Sequence, residues 1–305
     1  MTEPLAYLNG EFISAANAAV PVQDAGFVQG TTVAEQLRSF GGDLFRLDDH
    51  IDRLMRSLDI VGVDPGMGNE NFVQIANKLA RHNHQLLKDG DDLGLSVFVT
   101  PGTYSTFANG PSNPLVGMHT YPIPFHFWNQ KYDNGQSLAV TDVQQVPAAC
   151  WSPELKCRSR MHYYLADRKA QLADPQARAL FLDADGFVTE ASTASIVIYR
   201  SAEGFVVPPV EKILPGISLS TLDELAGQNG LPFIHRDLTP QDVATADEVI
   251  LCSTSPCLLP VTSLDGKPIG TGKPGEVFNR MLVAWSEMVG VDIRQQAHDF
   301  ADRVQ

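Results

Sequence analysis

Alternating and helically spaced apolar residues divide the first half of the chain into strands and two amphipathic helices. The pattern over residues 5–22 is short and strand-like, and Asn9-Gly10 marks a tight hairpin turn. A helix is predicted where apolar residues recur every three or four positions, at Leu47, Ile51, Leu54, Met55 and Leu58. A second helix over 71–87 and a strand over 93–100 follow.

The second half carries a denser series of short strands between helices. The predicted strands cover 137–140, 179–182, 187–189, 195–199 and 248–252, and the predicted helices cover 160–172, 275–289 and a segment beginning near Ser218. The turn Asp183-Ala184-Asp185-Gly186, between two apolar runs, is the strongest local hairpin signal in the chain. The fold class is therefore mixed α and β, with more strands in the second half.

Length and charge limit the kind of protein and partner. A chain of 305 residues with 44% apolar side chains can form about two domains of ordinary size. A formal charge of -14 argues against a nucleic-acid partner, so a small-molecule ligand is expected. No secretion signal or membrane-length apolar run is visible, which predicts a cytoplasmic protein with no membrane partner. The four cysteines predict neither a disulfide framework nor a metal site, but free and mostly buried thiols.

Three of the 22 Lys and Arg residues fall within five positions, at Lys156, Arg158 and Arg160. Alternate positions of an extended segment point to one side, so the three cations would lie together. Burial and neighbouring cations both favour a neutral amine, which can attack a carbonyl carbon. The pattern also fits a solvated basic strand.

Four further segments contain residues that can bind a charged ring or a phosphate. Glu190 ends a hairpin strand and can hold a pyridinium nitrogen protonated, although an exposed strand-end glutamate is common. The turn at Pro215-Gly216 leads into a helix whose first backbone N–H groups can bind an anion or simply form an N-cap. The Ser253-Thr254-Ser255 hydroxyls suit either a phosphate or an ordinary loop. Arg53, four residues after Asp49, by default forms a surface ion pair on its helix.

Taken together, these segments resemble the class IV (fold type IV) aminotransferase family, which includes branched-chain and D-amino-acid aminotransferases and aminodeoxychorismate lyase. The resemblance follows the family's order along nearly the whole chain. The matching segments are His50-Ile51-Asp52-Arg53-Leu54, Glu154-Leu155-Lys156, Asp185-Gly186-Phe187-Val188-Thr189-Glu190, Leu214-Pro215-Gly216-Ile217-Ser218 and Ala246-Asp247-Glu248-Val249 with the later Ser253-Thr254-Ser255 and Pro260-Val261.

The resemblance implies pyridoxal 5′-phosphate (PLP) as the cofactor and assigns a role to each matching residue. Lys156 would form the covalent bond to PLP and then act as general base and acid. Glu190 would contact the pyridine nitrogen. The remaining cofactor-binding residues implied by the family are Arg53, Ile217, Ser218, Thr254 and Tyr164.

Two departures from the family pattern concern the substrate. The usual aromatic residue is missing from Gly30-Thr31-Thr32-Val33-Ala34-Glu35, which predicts a wider pocket there. The strand over 95–99 has no arginine where several relatives bind the substrate carboxylate. Arg38, Arg158 or Arg160 is predicted to bind that carboxylate instead, and Ser255 is a further predicted substrate-binding residue.

The family also implies an architecture and an activity. The expected architecture is a smaller N-terminal α/β domain over 1–124, a linker over 125–134 and a larger, strand-rich cofactor-binding domain over 135–305, assembled as a homodimer. The expected activity moves an amino group between a branched-chain or other hydrophobic amino acid and a 2-oxo acid. The alternatives are an aminodeoxychorismate-type lyase and a catalytically silent binding protein on the same fold.

Overall fold

A computed structural model describes residues 3–110 and 113–303, which form two compact units. The first unit contains the described residues up to Ile123 and also Leu155–Ser159, and the second contains Pro124–Glu154 and the residues from Arg160 onward. The segment around Lys156 thus belongs to the N-terminal unit, although it is distant in sequence. The predicted linker over 125–134 carries a 3₁₀ turn and a short helix within the second unit.

The first unit is a six-stranded antiparallel sheet with helices. Its strands are β1 (Leu5–Leu8), β2 (Glu11–Ser14), β3 (Val33–Phe40), β4 (Asp43–Leu44), β5 (Leu93–Thr100) and β6 (Leu115–Pro122), and its helices are α1 (Ala25–Val28), α2 (Leu47–Val61), α3 (Asn69–His84) and a 3₁₀ turn over Ala15–Asn17. The strand order is β2-β1-β6-β5-β3-β4.

Helix α2 forms where its apolar spacing predicts it, and it packs in the core of the first unit. Leu47, Ile51, Leu54 and Leu58 are buried together with sheet residues such as Leu95. Each such leucine or isoleucine contributes about 1.5–3 kcal/mol by leaving water. The helix ends at Gly62, whose left-handed φ of 67° closes the last turn.

The second unit is richer in strands, as predicted. Its strands are β7 (Gln136–Val140), β8 (Arg178–Leu182), β9 (Val188–Ala191), β10 (Ala194–Arg200), β11 (Gly204–Val207), β12 (Phe233–His235), β13 (Glu248–Ser253), β14 (Cys257–Leu264) and β15 (Lys267–Pro268). Its helices are α4 (Lys131–Asn134), α5 (Met161–Ala173), α6 (Ile217–Gln228), α7 (Pro240–Ala244), α8 (Glu276–Val289) and α9 (Ile293–Asp299), with 3₁₀ turns over Phe125–Phe127 and Val210–Lys212.

Strand β9 closes part of this second sheet into a ring. The order is β12-β11-β10-β13-β14-β7-β8-β9, and β9 also pairs with β10, so six strands from β10 round to β9 form a closed circuit. The predicted Asp-Gly turn joins β8 to β9, and Gly186 adopts the positive φ of 86° that such a turn requires. This hairpin prediction is confirmed.

Several details differ from the sequence prediction. The strand pattern over 5–22 ends at Ser14, and the following residues form a 3₁₀ turn and loop. Cys252 and Cys257 are buried, but Cys150 is exposed and Cys157 partly exposed, so only two cysteines fit the prediction of buried thiols. No helix in the described ranges is long and apolar enough to cross a membrane.

Candidate active site

The backbone around Lys156 is fixed on the edge of strand β3. The N–H of Ala34 donates to the carbonyl oxygen of Lys156 at 3.1 Å, and the N–H of Arg158 donates to the carbonyl oxygen of Thr32 at 2.8 Å. These bonds make Cys157 an antiparallel bridge partner of Val33. The segment is therefore extended, as its alternating cations predict.

Helix α2 supports the same lysine from its other side. The backbone N–H of Lys156 donates to the Ser57 hydroxyl at 3.2 Å, and Leu155 packs against the apolar core of this unit. Lys156 as a whole residue is partly exposed. The fold thus anchors the backbone of a partly exposed lysine on both sides.

Arg53 lies in a buried ion-pair network with strand β3. Its Nε donates to Oε1 of Glu35 at 2.7 Å and its Nη2 donates to Oε2 at 2.8 Å, which is the two-pronged geometry typical of strong guanidinium–carboxylate pairs. His50 Nδ1 lies 2.8 Å from the same Oε2. Arg53 is only 3% exposed, so the interpretation of a surface pair with Asp49 is wrong.

The network perturbs the protonation of both of its titrating members. Burial opposes ionisation of Glu35, but the Arg53 guanidinium and the His50 ring outweigh it and hold the pKa of Glu35 far below its usual range. Burial lowers the pKa of His50, and the Glu35 carboxylate offsets part of this shift. The positive charges of Arg53 and Lys156 lower the pKa of His50 further. Neutral His50 and ionised Glu35 are therefore the native forms at neutral pH.

Acid should destabilise the protein in part through His50. In the unfolded chain the His50 ring takes up a proton as the pH falls through 6.5, whereas the buried ring of the native protein stays neutral to a lower pH. The free energy of unfolding therefore decreases as the pH drops below 6.5. Loss of the Glu35 contribution begins only below about pH 4.5. Urea unfolding at pH 8, 6.5 and 5 measures the effect. We expect His50→Gln to flatten this dependence, and an unchanged slope would contradict the assignment.

Glu190 is a buried carboxylate on the closing strand β9. It is 6% exposed, and its Oε1 accepts the backbone N–H of Leu214 at 3.0 Å. Its Oε2 lies 3.2 Å from the Tyr163 hydroxyl and 3.4 Å from Nε2 of Gln145, both of which donate. Donors thus surround a carboxylate whose burial would be costly without them. An exposed strand-end glutamate is excluded.

Tyr163, which the sequence analysis overlooked, contacts Glu190, whereas Tyr164 does not. Burial raises the pKa of Tyr163 well above its usual range, and the negative charge of Glu190 adds to this shift. The Tyr163 hydroxyl therefore stays protonated and donates. The Tyr164 side chain is 58% exposed and its ring lies under Arg168. On helix α5, consecutive residues point about 100° apart, so only one of two adjacent tyrosines can face Glu190.

Helix α6 begins at Ile217 with a glycine as its N-cap. Within the described chain no side chain caps this end by a hydrogen bond, and the first backbone N–H groups of any helix lack an intrahelical partner. A Cβ at Gly216 would lie 2.8 Å from the Ser195 hydroxyl, so a side chain there would crowd the helix start. Ser218 is buried in the first turn. This arrangement suits an anion.

The remaining predicted residues lie in several places. Thr254 and Ser255 are partly exposed in the turn between β13 and β14. Arg160 is the N-cap of helix α5 in the second unit. Arg38 is 1% exposed and its guanidinium lies 4.1 Å above the Phe40 ring. Arg158 is exposed, and its Nη2 donates to the Ser96 hydroxyl at 2.9 Å.

Comparison with known proteins agrees with this fold. The family model described as amino-transferase class IV matches residues 32–264, and the chain belongs to that family. It is 29% identical over 279 residues to a D-alanine aminotransferase of Bacillus licheniformis, covering 90% of this chain and 94% of that protein. It is 28% identical over 275 residues to a provisionally assigned branched-chain-amino-acid aminotransferase of Methanocaldococcus jannaschii, covering 90% and 93%.

A solved structure shows the same fold. The branched-chain amino acid aminotransferase of Escherichia coli superposes with a TM-score of 0.87 at 21% identity, covering 94% of this chain and 95% of that one. Class IV aminotransferases are PLP-dependent transaminases, so this chain is an enzyme of that kind and not a silent binding protein.

The residues described above fit PLP. Each feature that the cofactor needs has a matching group: a partly exposed lysine with an anchored backbone, a buried carboxylate with several hydrogen-bond donors, and a helix start with a glycine N-cap.

Proposed function

We propose that this enzyme moves an amino group between a hydrophobic, aliphatic amino acid, such as a branched-chain one, and a 2-oxo acid, with Lys156 as its catalytic residue. The observation that carries the proposal is the anchoring of the Lys156 backbone by Ala34 and Ser57, and of the neighbouring Arg158 backbone by Thr32, at a lysine that is partly exposed. A fixed backbone limits the positions that the amine can reach, which favours reaction at one carbon atom.

Lys156 would hold the cofactor covalently and later transfer a proton. When bound, PLP supplies an aldehyde carbon that amines attack and a ring that accepts an electron pair. The amine of Lys156 would hold the cofactor and would also act as the general base that takes the proton from the substrate α-carbon, and as the general acid that gives it back.

Glu190 would accept a hydrogen bond from the ring nitrogen and keep it protonated. The donors already bound to this carboxylate, Tyr163, Gln145 and the Leu214 N–H, stabilise its ionised form. An anionic carboxylate in turn stabilises a positive charge on the ring nitrogen.

Replacing Glu190 with glutamine is expected to lower kcat about 100- to 1,000-fold, because an amide cannot hold the ring nitrogen protonated. Steady-state kinetics and the visible absorbance of the holoenzyme measure the loss. Glu211→Gln, at an exposed position of the same unit, is the matched control and should retain activity. Unchanged kcat in the Glu190 variant would remove this residue from the mechanism.

The phosphate of the cofactor would be bound mainly by backbone N–H groups and hydroxyls. Ile217 and Ser218 supply the N–H groups at the start of helix α6, where the helix dipole favours an anion, and Thr254 supplies a hydroxyl. Arg53 would add a guanidinium whose orientation is fixed by Glu35. Tyr164 stays a predicted cofactor ligand, although Tyr163 has the closer contact with Glu190.

The choice of an aliphatic substrate is supported by the two relatives. Their names give D-alanine and branched-chain amino acids, which share a short aliphatic side chain. A panel of D- and L-amino acids, assayed with pyruvate and 2-oxoglutarate, tests the proposal. The release of pyruvate and aminobenzoate from aminodeoxychorismate, without transamination, would instead favour the lyase.

A homodimer and a cytoplasmic location are proposals that rest on the family resemblance and the sequence alone. Sedimentation of the holoenzyme tests the dimer, and fractionation of the source cells tests the location.

A further inference from the structure

One face of the N-terminal sheet carries a connected row of polar side chains that ends at Arg158. The Tyr121 hydroxyl donates to Oε1 of Gln36 at 2.7 Å, and Nε2 of Gln36 donates to the Ser96 hydroxyl at 2.9 Å. Nη2 of Arg158 donates to that same hydroxyl at 2.9 Å. Three strands, β3, β5 and β6, therefore contribute to holding one guanidinium.

The register of the sheet explains why these side chains meet. Gln36 pairs with Ser96 across β3 and β5, and Gly94 pairs with Tyr121 across β5 and β6, so all lie on the same face. Ser96 is buried, which makes its hydrogen bonds costly to lose. The guanidinium is thus held in place before any ligand arrives, as an effective binding group should be.

Arg158 also has a defined relation to Lys156. Cys157 is the bridge partner of Val33, so the residues on either side of it point to the same side of an extended segment. Their Cα atoms are then roughly 7 Å apart. An α-amino acid carries a carboxylate one carbon away from the carbon bearing its amine. An amine-reactive lysine and a carboxylate-binding arginine at this spacing can engage both groups of one small molecule.

The other candidate arginine in this unit is less suitable. Arg38 is almost completely buried and stacks on Phe40, whereas Arg158 is exposed at its position. A carboxylate arriving from solvent can reach an exposed guanidinium without rearrangement of the core.

We propose that Arg158 binds the carboxylate of the amino-acid and 2-oxo-acid substrates, so that the enzyme selects carboxylate-bearing amines over simple primary amines. The inference rests on the proposed transamination for its substrate, but its first test does not require turnover. Gln36, Ser96 and Tyr121 are positioning residues in this scheme, since they act through Arg158.

Binding of hexanoate and of its uncharged analogue hexanamide to the holoenzyme, measured by calorimetry, is the first test. The wild-type enzyme should bind hexanoate at least about 10-fold more tightly, because a charge-assisted hydrogen bond is worth that much or more. Arg158→Gln should abolish the preference, and Arg158→Lys should keep part of it. Arg56→Gln, an exposed arginine of the same unit, is the matched control and should behave as wild type.

Kinetics supply the second test. Arg158→Gln should raise KM for norleucine about 10- to 100-fold and leave the reaction of pentylamine, which lacks the carboxylate, unchanged. Equal losses of activity with norleucine and pentylamine would indicate a merely structural role for Arg158 and would overturn the proposal. In the binding test, the proposal is also overturned if the Arg158→Gln variant still prefers hexanoate, or if the wild-type enzyme does not prefer it. Hexanoate binding through Arg158 without transamination of any amino acid would refute the proposed function alone.

Discussion

Lys156→Ala is expected to reduce the rate of transamination at least about 1,000-fold. Loss of a general acid–base group typically lowers the rate about 100- to 10,000-fold, and this variant also loses the covalent bond to PLP. The substitution should leave the fold intact, since the backbone of residue 156 makes hydrogen bonds with Ala34 and Ser57 that an alanine can also make. Circular dichroism and urea unfolding check the fold, and a coupled assay for the 2-oxo acid measures activity.

Borohydride reduction separates the role of Lys156 from a general loss of activity. Reduced holoenzyme, digested and mapped by mass spectrometry, should carry the cofactor adduct on the peptide that contains Lys156. Lys169→Ala is the control, because Lys169 lies in an exposed pair with Asp142 and should be fully active. An adduct on a different lysine, or an active Lys156→Ala enzyme, would refute the assignment.

The elements predicted with success have a regular spacing of apolar residues within a single segment. Helix α2 packs one face on the core, and strand β5 places Leu95, Val97 and Val99 in the same core at alternate positions. The β8–β9 hairpin was predictable from local chemistry, since its Asp-Gly turn needs a positive φ. These signals lie within a few residues of one another and need no knowledge of distant segments.

Strand β3 shows why other elements were missed. Its sequence, Val-Ala-Glu-Gln-Leu-Arg-Ser-Phe, places Glu35 between apolar core residues, and a buried carboxylate breaks the apolar pattern that would identify a strand. Its burial is tolerated only because Arg53 and His50, from a helix 15 or more residues away, compensate its charge. A pairing between two elements is not visible in either one alone.

The same limit applies to the candidate site. Lys156, Glu190 and Gly216 were predicted as site residues from motifs of a few residues that resemble the family's in their order. The contact between Tyr163 and Glu190 was not, because a choice between two adjacent tyrosines depends on the rotation of helix α5 against β9. A shift of one residue changes the direction of a helical side chain by about 100°, which no motif of this length specifies.

Arg53→Met is expected to lower the free energy of unfolding by about 3–5 kcal/mol, the typical cost of removing one partner from a buried ion pair. The Glu35 carboxylate would remain in the core with His50 as its partner and without its two bonds to the guanidinium. Urea unfolding of the cofactor-free enzyme is the measurement, since PLP binding would add its own stabilisation.

Two further variants identify the cause of that loss. Arg56→Met removes a charge from an exposed position of the same helix and should change the free energy of unfolding by less than about 0.5 kcal/mol. Adding Glu35→Gln to Arg53→Met should recover part of the stability, because the uncompensated carboxylate is then gone. A double variant less stable than Arg53→Met would show that packing, and not the buried charge, makes Arg53 important to the fold.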